Sequence, residues 1–235
     1  MSTQTSYVFA PAPPVSVAVL GTTARFPVQR IYCVGRNYED HAKEMGFTGR
    51  EAPFFFLKPA NALLAAAEGE PVSMPYPSLT KNLHHEVELV VAIGLGGKRI
   101  AAADAARHIF GYAVGLDMTR RDLQNEMKKQ GRPWSIGKAF EHSAPIGPIT
   151  PAAQAGQAAQ AEIALEVNGS VRQHSNTSKL IWSIPEIIEH LSAAWELRPG
   201  DLIYTGTPEG VAAVVPGDRL HASVAGLAPL RVQVV

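Results

Sequence analysis

From Leu83 to Gly94 the chain reads LHHEVELVVAIG, a long apolar run in which Glu86 and Glu88 interrupt at a spacing of two. A run of this kind predicts a strand, and in a strand residues two apart project to one face. Val87, Leu89 and Val91 then form an apolar face, and Glu86 and Glu88 share the other with His84. Similar runs in RIYCVG, PFFFLKP and IFGYAVGLDMT predict further strands, the second bounded by prolines and carrying Lys58 to its end. Asn168-Gly169 between IALEV and SVRQ is a two-residue hairpin signal. Helical spacing occurs in YEDHAKEM, with Asn37 as N-cap, Asp40 three residues on and Gly46 closing it. It recurs in RRDLQNEMKKQ, where Thr119 and Asp122 have the spacing of a capping box, and in SIPEIIEHLSAAWEL, with Pro185 near its start. AAADAARH suits a short helix, and RPGDLIYTGTPEGV a turn, a strand and a glycine-rich loop. Short strands outnumber helices, which predicts a β-rich α+β domain.

Residues 1–28 are rich in proline and alanine and read as an extended arm packed on the body, with residues 29–235 as a single domain. PAAQAGQAAQA is of low complexity and reads as a surface connection. At 235 residues and 46% hydrophobic the chain can fill one core. Its 21 basic residues balance 21 acidic ones without a basic block, which disfavours nucleic-acid and membrane-surface partners and leaves a small molecule. No stretch reaches the ~18 apolar residues of a membrane span, and the first ten residues lack the pattern of a secretory signal. The expected location is the cytoplasm. The lone Cys33 has no partner for an internal disulfide.

Two like charges sharing a partly buried face repel, and burying each costs several kcal/mol unless something compensates. A divalent ion compensates both, and all-oxygen ligands favour Mg²⁺ or Mn²⁺ over Zn²⁺. Asp117, at the end of YAVGL, supplies a third carboxylate. The spacing is equally met by an amphipathic strand with both glutamates in solvent, the commoner fate of such a pair, and Asp117 equally suits a helix N-cap. Nearby lie groups suited to an anionic ligand: Arg121 and Gln124, one helical turn apart, and Lys138 in SIGKAF. Each is, taken alone, an ordinary surface residue. His41 and Glu44 are three apart in HAKE, so the carboxylate can orient the imidazole as a general base for water. The connection after them would let such a helix act as a lid.

GRNYEDHAKEMG, FLKP, NLHHEVELVVAIG, GYAVGLDMTRRDLQ, GKAF, the VNG hairpin, SIPEIIEHLS and RPGDLIYTGTPEGV, in this order, resemble the fumarylacetoacetate hydrolase family from about residue 30 onward. The resemblance implies a mixed β-roll or β-sandwich with short flanking helices, usually dimeric. It implies one Mg²⁺ or Mn²⁺ per subunit on Glu86, Glu88 and Asp117, and a catalytic His41–Glu44 dyad. The substrate-binding positions of the family fall on Arg36, Lys58, Arg121, Gln124, Lys138 and Thr207, with Lys138 also stabilising developing charge. The chain is too short for the SH3-like domain of the larger members. Its proline-rich arm resembles the bacterial fumarylpyruvate hydrolases of gentisate catabolism, which implies hydrolysis of a carbon–carbon bond in a 2,4-diketo acid. Oxaloacetate decarboxylation, acetylpyruvate hydrolysis and keto–enol isomerisation use the same scaffold. A non-catalytic metal- or ligand-binding protein is a further reading, weakened by the presence of all three acids.

Overall fold

The computed structural model describes residues 6–39 and 50–235. Its main element is a mixed eight-stranded sheet whose path runs Phe54–Lys58, Ile31–Gly35, Leu202–Tyr204, Val87–Ile93, Ile109–Leu116, Ala144–Ile146, Leu63–Ala65. Thr150–Pro151 pairs beside Ile109–Leu116. The strand Ile31–Gly35 pairs in parallel with Leu202–Tyr204, whereas Val87–Ile93 is antiparallel to both of its neighbours. A second sheet, ordered Ser170–Asn176, Glu162–Val167, Arg219–Val224, Leu230–Val234, Val72–Met74, contains the expected hairpin. Asn168 and Gly169 both adopt positive φ, 53° and 78°, as the tight two-residue turn requires.

Between the two sheets lies the larger core. Val87, Leu89, Val91 and Ile93 meet Ile163, Leu165 and Val224 there, and the helix Ile184–Ala194 covers one end with Ile187, Ile188 and Leu191. Ser183 and Glu186 cap that helix reciprocally. Val90 and Ala92 face a second core, closed by Val17, Val19 and Phe26 of the hairpin formed by Ser16–Ala18 and Arg25–Pro27. The strand Val87–Ile93 is therefore buried on both faces, which explains its unbroken apolar run.

LHHEVELVV is expected to be one strand, but it is two. Leu83–His84 pairs with Thr119–Arg120 and Ala213–Val214, and Val87–Ile93 enters the main sheet, leaving His85 and Glu86 at the break. The Thr119–Asp122 capping box does not form. Thr119 is drawn into the short strand, while the Asp122 carboxylate accepts from Thr80 Oγ1 and Lys81 N–H. PFFFLKP forms the expected strand, as a half-buried edge strand with only Lys58 fully covered. No helix among the described residues is long and apolar enough to cross a membrane.

Candidate active site

Glu86, Glu88 and Asp117 converge where three segments meet: the strand break, the start of Val87–Ile93, and the end of Ile109–Leu116. Asp117 N–H donates to the Glu86 carbonyl at 2.9 Å, which locks two of these segments together. One oxygen from each acid lies within 4.8 Å of the others, and the residues are only 5%, 2% and 1% exposed. The solvent-facing reading of the ExE pair is thereby excluded.

Cations surround the acids unevenly. Lys138 Nζ donates to Glu86 Oε2 at 2.8 Å, Asp117 Oδ2 at 2.6 Å and Thr119 Oγ1 at 2.7 Å. Lys58 Nζ pairs with Asp117 Oδ1 at 2.8 Å and donates to the backbone carbonyls of Met118 and Lys138. Arg121 pairs with Glu86 and donates to Gln124 Oε1. Glu88 has no cation partner among the described residues, and its Oε2 accepts only from Gly206 N–H, at 2.8 Å. Burial, then Asp117 and Glu86, push its carboxyl well above the usual range. Burial disfavours the Lys138 cation, but Asp117 and Glu86 outweigh this and hold its pKa above the ordinary value. A buried carboxylate beside two others, with no cation of its own, fits a divalent ion, and the all-oxygen donor set suits Mg²⁺ or Mn²⁺.

The triad opens onto a pocket also lined by Arg36, Arg121, Gln124, Lys138 and Thr207. Five of the expected substrate positions thus share one cavity with the three acids. Lys58 does not join them. It lies beneath Asp117, 1% exposed, and its ammonium is consumed by the acid and two carbonyls, so its position is that of a support for the floor. His41 and Glu44, with most of the helix expected around them, lie outside the described residues.

Two supports escape a reading of the sequence. Gln173 Nε2 donates to Thr207 Oγ1 at 2.8 Å and to the Pro208 carbonyl at 2.9 Å. Its Oε1 can then only accept, from Val87 N–H and His85 Nδ1–H, so His85 carries its proton on Nδ1. One side chain from the second sheet therefore ties the strand break to the Thr207 loop. The available signal was a glutamine at an inward position of an alternating strand, opposite Leu165. The other support is Gly137. A Cβ there would lie 2.9 Å from Gln124 N and Cβ, so the helix Arg121–Lys129 and the one-turn helix Ser135–Lys138 touch only because it is absent. Gly137→Ala is expected to lower kcat/KM by on the order of 10²-fold, since a misplacement of ~1 Å costs about that much. Steady-state kinetics beside a denaturation curve separates this from the ~1–3 kcal/mol of overpacking.

Burial, then Arg121, lowers the His84 pKa to about 4. Its folded value lies below that of the unfolded chain, so acidification favours the unfolded state, which takes up the proton first. Stability of the metal-free protein is expected to fall as pH drops from about 6.5 towards 4. Part of that loss should vanish in His84→Gln, as read by urea titrations across the window.

The family described as fumarylacetoacetate (FAA) hydrolase C-terminal matches residues 30–235. The chain is 47% identical over 184 residues to a fumarylpyruvate hydrolase of Ralstonia sp, covering 78% of this chain and 93% of that one. It is 45% identical over 206 residues to the mitochondrial oxaloacetate tautomerase of Rattus norvegicus, covering 88% and 91%. Among solved structures, fumarylpyruvate hydrolase from Pseudomonas aeruginosa, in complex with Mn²⁺ and pyruvate, superposes with a TM-score of 0.96 at 55% identity, covering 98% and 99%.

Proposed function

The chain belongs to the fumarylacetoacetate hydrolase family, and from that premise we propose that it is a metal-dependent hydrolase of 2,4-diketo acids, converting fumarylpyruvate to fumarate and pyruvate. The observation that carries this reading is the buried Glu86–Glu88–Asp117 triad opening onto a pocket of cationic and amide side chains. The similarity to a structure holding Mn²⁺ and pyruvate supports it. We propose further that the enzyme is cytoplasmic and homodimeric, with one ion per subunit, and acts in aromatic catabolism of the gentisate type.

In this reading Glu86, Glu88 and Asp117 hold Mg²⁺ or Mn²⁺, which when bound acts as Lewis acid and template for the keto-acid oxygens. Arg121, Gln124 and Thr207 orient the carboxylate of the pyruvoyl end, and Arg36 bounds the pocket beside them. His41, oriented by Glu44, takes a proton from water as its oxygen adds to the distal carbonyl carbon. The carbon–carbon bond then breaks, and its electron pair leaves with the pyruvoyl fragment as an enolate. Lys138 faces that charge and stabilises it, and protonation at carbon yields pyruvate.

The oxaloacetate tautomerase relatives favour a second reading in which the same pocket moves a proton without activating water, and decarboxylation of oxaloacetate would use the same metal site. NMR identification of products separates them. Fumarate with pyruvate in equal amounts from fumarylpyruvate supports hydrolysis. Inertness towards fumarylpyruvate, with oxaloacetate tautomerised or decarboxylated, would replace it.

A further inference from the structure

Resting on the reading above, we propose that the acyl arm of the substrate lies in a second chamber beside the acid triad, against Phe54, Phe56 and Trp134, with its terminal carboxylate met by Arg132. The cavity over the triad is ≈ 30 Å³ and the adjoining chamber ≈ 440 Å³, so of these two the second has the room for an arm longer than the pyruvoyl end. Phe54, Phe56, Trp134 and Lys138 line both, so the two cavities share one wall.

The shared wall has a definite build. Phe54 and Trp134 meet edge-on with centroids 5.4 Å apart, and Phe56 and Trp134 lie 6.2 Å apart. Lys138 Nζ sits 5.2 Å from the Phe56 ring, joining the wall to the floor of the metal site. The Phe54 ring occupies the space left by Gly35, where a Cβ would lie 2.0 Å from the ring Cζ. Flat aromatic surfaces suit a planar, conjugated arm better than a flexible saturated one.

Charge selects Arg132. Lys58 is buried under Asp117, and Arg121 and Arg36 line the first cavity, where the pyruvoyl end is placed, and not the second chamber. Arg132 lines the second chamber and has no carboxylate partner among the described residues. Its backbone N–H donates to the Met127 carbonyl at 2.9 Å, fixing the turn that precedes Pro133 and Trp134. Its guanidinium presents the paired donors that a carboxylate accepts.

The test compares fumarylpyruvate with acetylpyruvate, whose arm is short and uncharged, in the Mn²⁺-loaded parent, Arg132→Gln and Trp134→Leu. Arg132→Gln is expected to reduce kcat/KM for fumarylpyruvate about tenfold, mainly through KM, a typical loss for one charge-assisted contact, with acetylpyruvate changed less than about twofold. Trp134→Leu should also penalise fumarylpyruvate more than acetylpyruvate. Equal losses on both substrates, or no loss on fumarylpyruvate in Arg132→Gln, would overturn the assignment while leaving the hydrolase reading intact. A parent that cleaves neither compound would overturn the hydrolase reading and the assignment with it.

Discussion

Glu88→Gln is expected to lower kcat for fumarylpyruvate about a thousandfold while raising the thermal stability of the metal-free protein. The catalytic loss follows from losing one of three charged ligands. Metal-ion stabilisation of developing charge is worth several kcal/mol, and about 4 kcal/mol corresponds to about a thousandfold. The stability gain follows from the same carboxylate having no cation partner among the described residues. Its pKa is raised by burial and by Asp117 and Glu86, so ionising it in the folded state costs stability, and that cost eases as pH falls from the raised value towards the ordinary carboxylate range. Glutamine keeps an acceptor for Gly206 N–H and carries no charge. Saturating Mn²⁺, at about 100 times its Kd, adds roughly 2.7 kcal/mol to the parent, a rise in Tm of about 5–10 °C for a chain of this size. The variant should show little of it. Asp117→Asn is a poorer probe, because it strands Lys58 and Lys138 beside a neutral group, and breaking buried pairs costs ~3–5 kcal/mol by itself.

His41→Ala is expected to reduce fumarylpyruvate hydrolysis by about 10²–10⁴-fold, the range for loss of a general base, with Mn²⁺ affinity unchanged. The three carboxylates that would hold the ion are Glu86, Glu88 and Asp117, and His41 is assigned to water rather than to the metal. Glu44→Gln should give a smaller loss, since it removes the orienting carboxylate and keeps the base. Retained hydrolysis in His41→Ala would remove the dyad from the mechanism. Retained oxaloacetate tautomerisation beside lost hydrolysis would show that one pocket supports both chemistries and that the dyad separates them.

Much of the fold is legible in the apolar runs, because Val87–Ile93 and Ile109–Leu116 are long and the Asn168-Gly169 turn is set by two adjacent residues. The acid triad is legible as residue types, whereas the spacing alone leaves solvent and metal open, and burial removes the solvent reading. The failures share a cause. The break at His85 and Glu86, the diversion of Thr119 from a helix cap to a strand and to Lys138, and the burial of Lys58 all depend on partners distant in sequence. Local propensity carries no record of such partners. Gln173 belongs to the same group, because its importance lies in joining Val87 to Thr207, which only the packing of the two sheets brings together. The aromatic chamber is hidden for another reason: Phe54 and Phe56 belong to a plain apolar run, and only their place on an edge strand turns them towards a cavity.

The most direct test of the metal-dependent reaction follows the enol absorbance of fumarylpyruvate with the purified protein as isolated, after exhaustive chelation, and after restoring Mg²⁺ or Mn²⁺. The expected result is turnover that stops on chelation and returns with the ion in the parent but not in Glu88→Gln. Turnover that persists with every divalent ion removed, or that returns equally in the variant, would contradict the assignment of the triad as the metal centre of this reaction.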